Sequence, residues 1–209
     1  KLAFWNATGS GKTLLMHINI KQYLHYALKY NQHHQNKVLL ITPNEGLSKQ
    51  HLVEFALSNL QASRFSKNSG GMFTGNEIEV LEITKLAEES GDKTVAVDSF
   101  ETDNLVLIDE GHGGMSGDSW KQYRDRLSET GFAFEYSATF GQAISAASGV
   151  KKAAFTQEYG KSILFDYSYK YFYEDGYGKD YRIMNLKQDD AGYKRLYLTA
   201  NLLSFYQQL

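Results

Sequence analysis

At 209 residues the chain is long enough for one sizeable domain or one domain with an appendage, and its composition is that of an ordinary soluble globular protein. It has no cysteine, which excludes disulfides and thiolate metal sites and fits a reducing, cytoplasmic setting. No apolar run approaches the roughly 20 residues needed to span a bilayer, and the N-terminus lacks the residue order of a signal peptide. The formal net charge of −2 excludes a protein that grips nucleic acid by bulk charge alone, but leaves room for contacts made by a few loops. The chain opens at Lys1 without an initiator Met and closes at Leu209 inside a helical pattern, so it is expected to be an excerpt of a longer protein.

In chain order, Leu2-Ala3-Phe4-Trp5 is a short apolar run leading into Asn6-Ala7-Thr8-Gly9-Ser10-Gly11-Lys12-Thr13. Leu14, Leu15, Ile18, Ile20, Leu24 and Leu28 then recur as in a helix. Residues 38–42 read as a buried strand ended by Pro43-Asn44. The stretch from Glu45 to about Leu60 has helical spacing, and 61–76, rich in Ser, Gly and Asn, reads as a loop. Residues 78–83 alternate like a strand, 95–100 form another, and 105–108 are wholly apolar. A helix is expected over 120–127, a strand over 132–136, and an amphipathic helix over 191–209. Phe165, Tyr167, Tyr169, Tyr171 and Tyr173 alternate at period two, which reads as a strand with one aromatic face. Near-continuous apolar strands alternating with helices predict an α/β fold, a parallel sheet covered on both faces. In such sheets the active groups sit on loops at the carboxyl ends of strands.

Two groups of residues fall at those ends. Gly9, Gly11, Lys12 and Thr13 match the core of a phosphate-binding loop between a strand and a helix. There glycines let backbone N–H groups converge on phosphate oxygens, Lys12 reaches the outer phosphates and the Thr13 hydroxyl ligates magnesium. Asn6 departs from the pattern, standing where glycine is usual. Asp109-Glu110-Gly111-His112 ends the most apolar strand. Asp109 is placed to hold the metal and Glu110 to position an attacking water, the two roles phosphoryl transfer requires. Alone, an acidic pair at a strand end reads as a helix N-cap or a solvated loop. The phosphate loop upstream favours the metal role. His112 would relay the nucleotide state, and Gly113 and Gly114 suggest a tight or mobile turn. Ser137-Ala138-Thr139, which closes the next strand, gains meaning from its order and placement alone.

Together these residues resemble superfamily 2 helicases. Residues 7–13 (Ala-Thr-Gly-Ser-Gly-Lys-Thr) look like motif I, and 42–50, from Thr42 to Gln50, resemble motif Ia. Asp109-Glu110-Gly111-His112 resembles motif II in its Asp-Glu-x-His form, and Ser137-Ala138-Thr139 resembles motif III. The glycine after the acidic pair, and 165–179 with Glu174-Asp175-Gly176, are similar to the helicase part of type III restriction enzyme subunits. The resemblance implies a RecA-like P-loop NTPase domain over 1–158, with 159–209 completing it or leading to a second RecA-like domain. It implies ATP held by Thr8, Gly9, Ser10, Gly11, Lys12 and Thr13, with Mg2+ on Thr13 and Asp109. It further implies catalysis by Lys12 and Glu110, and coupling by His112, Ser137 and Thr139.

Thr42, Asn44, Lys49 and Gln50 stand where motif Ia touches the nucleic-acid backbone, which positions a strand without reading sequence. DNA is expected over RNA from the resemblance to restriction subunits alone, and such subunits are the implied partners. For the tyrosine-rich segment, base stacking, packing on an absent domain and covering of the sheet are all open, with packing favoured. The expected activity is ATP-driven translocation. A nucleotide-dependent clamp without processive movement is the alternative, and a small-molecule kinase fits the motif series less well.

Overall fold

The structure, a computed structural model, describes residues 1–30, 35–66, 77–110, 118–179 and 191–207. The chain forms β1 (Leu2–Asn6), α1 (Lys12–Lys29), β2 (Lys37–Thr42), α2 (Glu45–Leu57), β3 (Ala62–Arg64), β4 (Ile78–Glu82), β5 (Leu86–Ala87) and β6 (Val95–Ala96). It continues with β7 (Asn104–Asp109), α3 (Asp118–Leu127), β8 (Phe132–Ser137), α4 (Phe140–Ala146), α5 (Gly149–Ser162), β9 (Ile163–Tyr167), α6 (Tyr169–Glu174) and α7 (Ala191–Tyr206). Seven strands make one sheet in the order β3-β4-β2-β7-β8-β1-β9, and every pairing in it is parallel. β5 and β6 form a separate two-stranded pair.

Both faces of the sheet are covered, because its central strands are apolar on both sides. Val38, Leu40, Leu105, Leu107, Phe134 and Tyr136 face α1 and α2, where Met16, Ile20 and Phe55 complete the core. Leu39, Ile41, Val106, Ile108 and Ala133 face the other way, towards Leu127 of α3 and Phe100. Ala3 packs there with Phe140 of α4 and Tyr159 of α5.

The helical spacing located α1 and α2 but not their buried faces. Leu14 and Leu28 are 61% and 62% exposed, while α1 buries Met16, His17, Asn19 and Ile20. The buried face of α2 is Ser48, His51 and Phe55, two of its three members polar. Polar residues enter because they are bonded. Asn19 donates to the Tyr136 hydroxyl (2.8 Å), and the Ser48 and Thr42 hydroxyls lie 2.6 Å apart.

Four stretches differ from their sequence reading. The stretch 61–76, read as a loop, contains the edge strand β3. Residues 78–82 are buried throughout rather than alternating, because Glu79 pairs with Lys37 (2.8 Å) and Glu82 with Arg64 (3.0 Å). Only Val95 and Ala96 of the stretch 95–100 are strand, and a 3-10 turn follows. The aromatic stripe is a strand only as far as Tyr167. Asp166 accepts the Ser168 N–H (3.0 Å) and turns the chain into α6, where Tyr169 and Tyr173 meet one turn apart (ring centroids 6.1 Å).

Two compact units result, Lys1–Tyr177 and Gly178–Leu209. Residue 158 falls inside α5, and β9 pairs with β1 as the seventh strand of the sheet. The second unit carries α7, with Leu196, Leu198, Leu202 and Leu203 exposed. No helix among the described residues is long and apolar enough to cross a membrane.

A buried ionic cluster fixes the outer helices to the sheet. Glu135 of β8 pairs with Arg124 of α3 (2.8 Å) and Lys1 (3.0 Å), and accepts the Tyr159 hydroxyl of α5 (2.8 Å). Glu158 of α5 pairs with Arg124 (2.9 Å), Lys121 (2.7 Å) and Lys1. Burial alone would raise the Glu158 carboxyl. Its bonds to Lys1 and Lys121 and the charges of Lys1 and Arg124 outweigh that and bring it from 4.5 to about 2. A depressed carboxylate contributes stability that is present above its unfolded value and lost as pH falls through its folded one. Glu158→Gln is therefore expected to unfold more easily at neutral pH and to lose less stability than the wild type from about pH 4.5 towards 2. Urea titrations across that range check it, and parallel pH profiles for the two proteins would contradict it.

Candidate nucleotide site at the carboxyl edge of the sheet

Because β1, β7 and β8 run parallel, their carboxyl ends open on one edge. Asp109 pairs in register with Tyr136, and Trp5 with Ser137, so β8 lies between the loop after β1 and the acidic pair after β7.

The loop after β1 is built from its backbone. The Ala7 N–H donates to Tyr167 of β9 (2.8 Å), and the Ala7 carbonyl accepts both the N–H (3.1 Å) and the hydroxyl (2.7 Å) of Ser10. Gly9 and Gly11 have φ of 83° and 89°, in the left-handed region that favours glycine, with nothing within 4 Å of where a Cβ would stand. Gly11 caps α1 with no side-chain hydrogen bond, and the first turn carries no acidic residue. Those N–H groups and the helix dipole suit an anion. Asn6 is the last residue of β1, not among the positive-φ positions, so glycine is not required there. Its side chain is buried and its Oδ1 has no partner among the described residues.

The acidic pair meets Lys12. Lys12 Nζ lies 2.8 Å from Asp109 Oδ1 and also pairs with Glu110 Oε1. Asp109 Oδ1 further accepts the Glu110 N–H (3.0 Å), and Oδ2 is 2.9 Å from His51 Nε2. Burial alone would lower Lys12. The charge of Asp109 and the bonds to both carboxylates outweigh it and hold the amine above its ordinary value. Burial alone would likewise raise Asp109. The His51 bond and the Lys12 charge hold it below the ordinary carboxylate range. Both groups are therefore ionised at neutral pH. Glu110 has φ 56°, a left-handed conformation that costs a non-glycine residue about 1–2 kcal/mol. Such strain persists where the surroundings over-determine it, and it clusters at functional sites.

Ser137 is buried at the end of β8, and its hydroxyl accepts the Thr139 N–H (3.0 Å). Trp5 of β1 donates its indole N–H to the Ala138 carbonyl (3.1 Å). A Cβ on Gly141 would stand 2.2 Å from the Trp5 ring, so only glycine lets α4 approach so closely. The turn after β8 is thus tied to the strand that carries the phosphate loop. His112 lies outside the described residues.

The four motif Ia residues are placed differently from one another. Thr42 is buried and its hydroxyl is held inside by Ser48 (2.6 Å) and the Asn44 carbonyl (3.2 Å), so that hydroxyl faces the interior rather than a ligand. Asn44 is exposed and caps α2, its Oδ1 accepting the Leu47 N–H (3.0 Å). Lys49 and Gln50 are exposed on α2, beside Glu45 (3.1 Å) and Glu54 (2.7 Å). Sequence reasoning brought Lys12, Asp109 and Glu110 together and missed His51 and Trp5. The available signal for His51 was its phase on α2, three residues after Ser48 and four before Phe55, a polar side chain on the buried face.

A glycine-bent loop capping a helix, with a lysine bridged to two carboxylates on a parallel strand, defines a P-loop nucleotide-binding domain. The family model described as "Type III restriction enzyme, res subunit" matches residues 1–142, more than half of the chain. The chain belongs to that family, and its fold is the RecA-like ATP-binding domain of a superfamily 2 helicase. Similar solved structures include the helicase domain of Pyrococcus furiosus Hef, at 16% identity and TM-score 0.47, covering 79% of this chain and 34% of that one. Another is S. tokodaii Xpd4, at 16% identity and TM-score 0.36, covering 96% of this chain and 41% of that one. The chain therefore spans less than half the length of either. No curated protein matches it.

Gly11→Ala is expected to destabilise the domain by about 1–2 kcal/mol despite the open space at the position, because the strain is in the backbone. Denaturant midpoints check this, and an unchanged midpoint would contradict the left-handed geometry of the loop.

Proposed function

We propose that the domain binds ATP with Mg2+ and hydrolyses it as the motor of a nucleic-acid helicase or translocase, acting on DNA in a restriction–modification or related system. The observation that carries the reading is the meeting of Lys12, Asp109 and Glu110 at the mouth of the phosphate loop. The residues fit the cofactor. Open space above Gly9 and Gly11 and an uncapped helix N-terminus suit phosphate.

The loop N–H groups of Thr8, Gly9 and Gly11 hold the phosphates, Ser10 shapes the loop through its two bonds to the Ala7 carbonyl, and Lys12 reaches the outer phosphates by leaving its carboxylate partners. Thr13 and Asp109 would hold Mg2+, which would supply charge neutralisation for the transferred phosphoryl group. Glu110, strained and beside Asp109, orients the attacking water. Ser137 and Thr139, joined to β1 through Trp5, and His112 carry the nucleotide state to the rest of the motor. Lys49 and Gln50 offer side chains to the nucleic-acid backbone, while Asn44 and the buried Thr42 shape the loop that presents them.

A second RecA-like domain would supply an arginine finger, whose absence costs about 10³- to 10⁵-fold in rate. Restriction–modification subunits and a cytoplasmic setting complete the proposal.

Binding of a fluorescent ATP analogue with Mg2+ to the wild-type chain and to Lys12→Ala tests the reading. Binding that the variant loses, with turnover far below that of a two-domain motor, is expected. A folded wild type that binds no nucleotide, or binding indifferent to Lys12, would overturn it.

A further inference from the structure

Among the described residues His51 is a buried histidine with one hydrogen-bond partner, Asp109. It is 3% exposed on the inner face of α2, with its ring 6.1 Å from that of Phe55, which itself stacks on His17 of α1 at 4.5 Å. Its Nε2 lies 2.9 Å from Asp109 Oδ2, and its Nδ1 is buried without a partner among the described residues. Facing a carboxylate, Nε2 must donate, so the ring is held in the tautomer whose proton sits on Nε2.

The two oxygens of Asp109 therefore have different duties. Oδ1 is shared by Lys12 and the Glu110 N–H, whereas among the described residues His51 is the donor to Oδ2. Were Lys12 to turn to phosphate, Oδ1 would lose its cationic partner and could take a metal cation, while Oδ2 keeps its bond to His51. Carboxylates that ligate metals are commonly held in this way by a partner behind them, and removing such a partner costs about 10- to 100-fold in metal affinity.

We propose that His51 is a positioning residue for the metal, its Nε2–H fixing the plane of the Asp109 carboxylate so that Oδ1 faces Mg2+. This rests on the reading of Asp109 as a metal ligand. His51 touches neither nucleotide nor metal; it acts through Asp109. Because it belongs to α2, the same bond ties the metal ligand to the helix that exposes Lys49 and Gln50.

The test measures a fluorescent ADP analogue binding to the full chain in a chelator and then across a Mg2+ titration, for wild type, His51→Leu, His51→Gln and Asp109→Asn. The metal-free affinity of His51→Leu should equal that of the wild type, while the Mg2+ concentration for half-maximal effect rises about 10- to 100-fold. His51→Gln, whose amide N–H can reach Oδ2, should return most of that loss. A normal Mg2+ requirement in His51→Leu, beside a raised one in Asp109→Asn, overturns the proposal and leaves Asp109 as ligand. Metal-free binding that falls as far as metal-dependent binding overturns it in favour of a purely structural role. A normal Mg2+ requirement in Asp109→Asn removes Asp109 as ligand and the proposal with it. If His51→Leu does not fold, His51→Asn, polar but too short to reach Oδ2, takes its place with the same readings.

Discussion

The parallel register of the seven-stranded sheet is the constraint on which the rest depends. Every strand points the same way, so the ends of β1, β8, β7 and β2 open side by side on one edge. Residues far apart in the chain, Lys12 and Glu110 at a separation of 98 positions and Trp5 and Ala138 at 133, meet there without any long loop to bring them together. Parallel strands buried on both faces are largely apolar, and the charges they keep, such as Glu79 and Glu135, are paired. Polar chemistry is therefore displaced to their ends, where backbone groups leave the ladder and need other partners.

The charges that remain inside are kept by pairing. Lys12 and Asp109 at the edge, and Arg124 and Glu158 between the sheet and α3 and α5, are each held ionised against burial by their partners. The two clusters differ in what they leave open. The second is closed on itself, with Tyr159 completing the coordination of Glu135. The first sits under a glycine loop with vacant space beside it, its lysine shared by two carboxylates and one of those carboxylates on a strained backbone. A closed cluster contributes to the fold, whereas an open one can exchange partners with an incoming anion.

Much of this was legible in the residues. The strands with continuous apolar runs, 38–42 and 105–108, were readable because full burial leaves no other composition. That Lys12, Asp109 and Glu110 meet was readable from their order and their places at strand ends. The faces of α1 and α2 were not. His51 and Asn19 are buried through hydrogen bonds to strands far along the chain, and Ser48 through one to Thr42 of the preceding strand, and a hydrophobic pattern carries no record of those partners. Nor was the end of β9. Alternating tyrosines satisfy a strand and a helix alike, and the choice is made by the Asp166–Ser168 turn. Thr42 has the residue type of a backbone contact, yet Ser48 draws its hydroxyl inward.

The central claim is that this edge is a nucleotide site whose parts rearrange around one lysine. A crystal structure with Mg2+ and a non-hydrolysable ATP analogue tests it most directly. The account predicts phosphates over Gly9 and Gly11, Lys12 Nζ moved from its carboxylates to the outer phosphates, and the metal on Thr13 and Asp109 with His51 still bonded to Oδ2. Nucleotide bound elsewhere, or bound here with Lys12 still bridging Asp109 and Glu110, would contradict it.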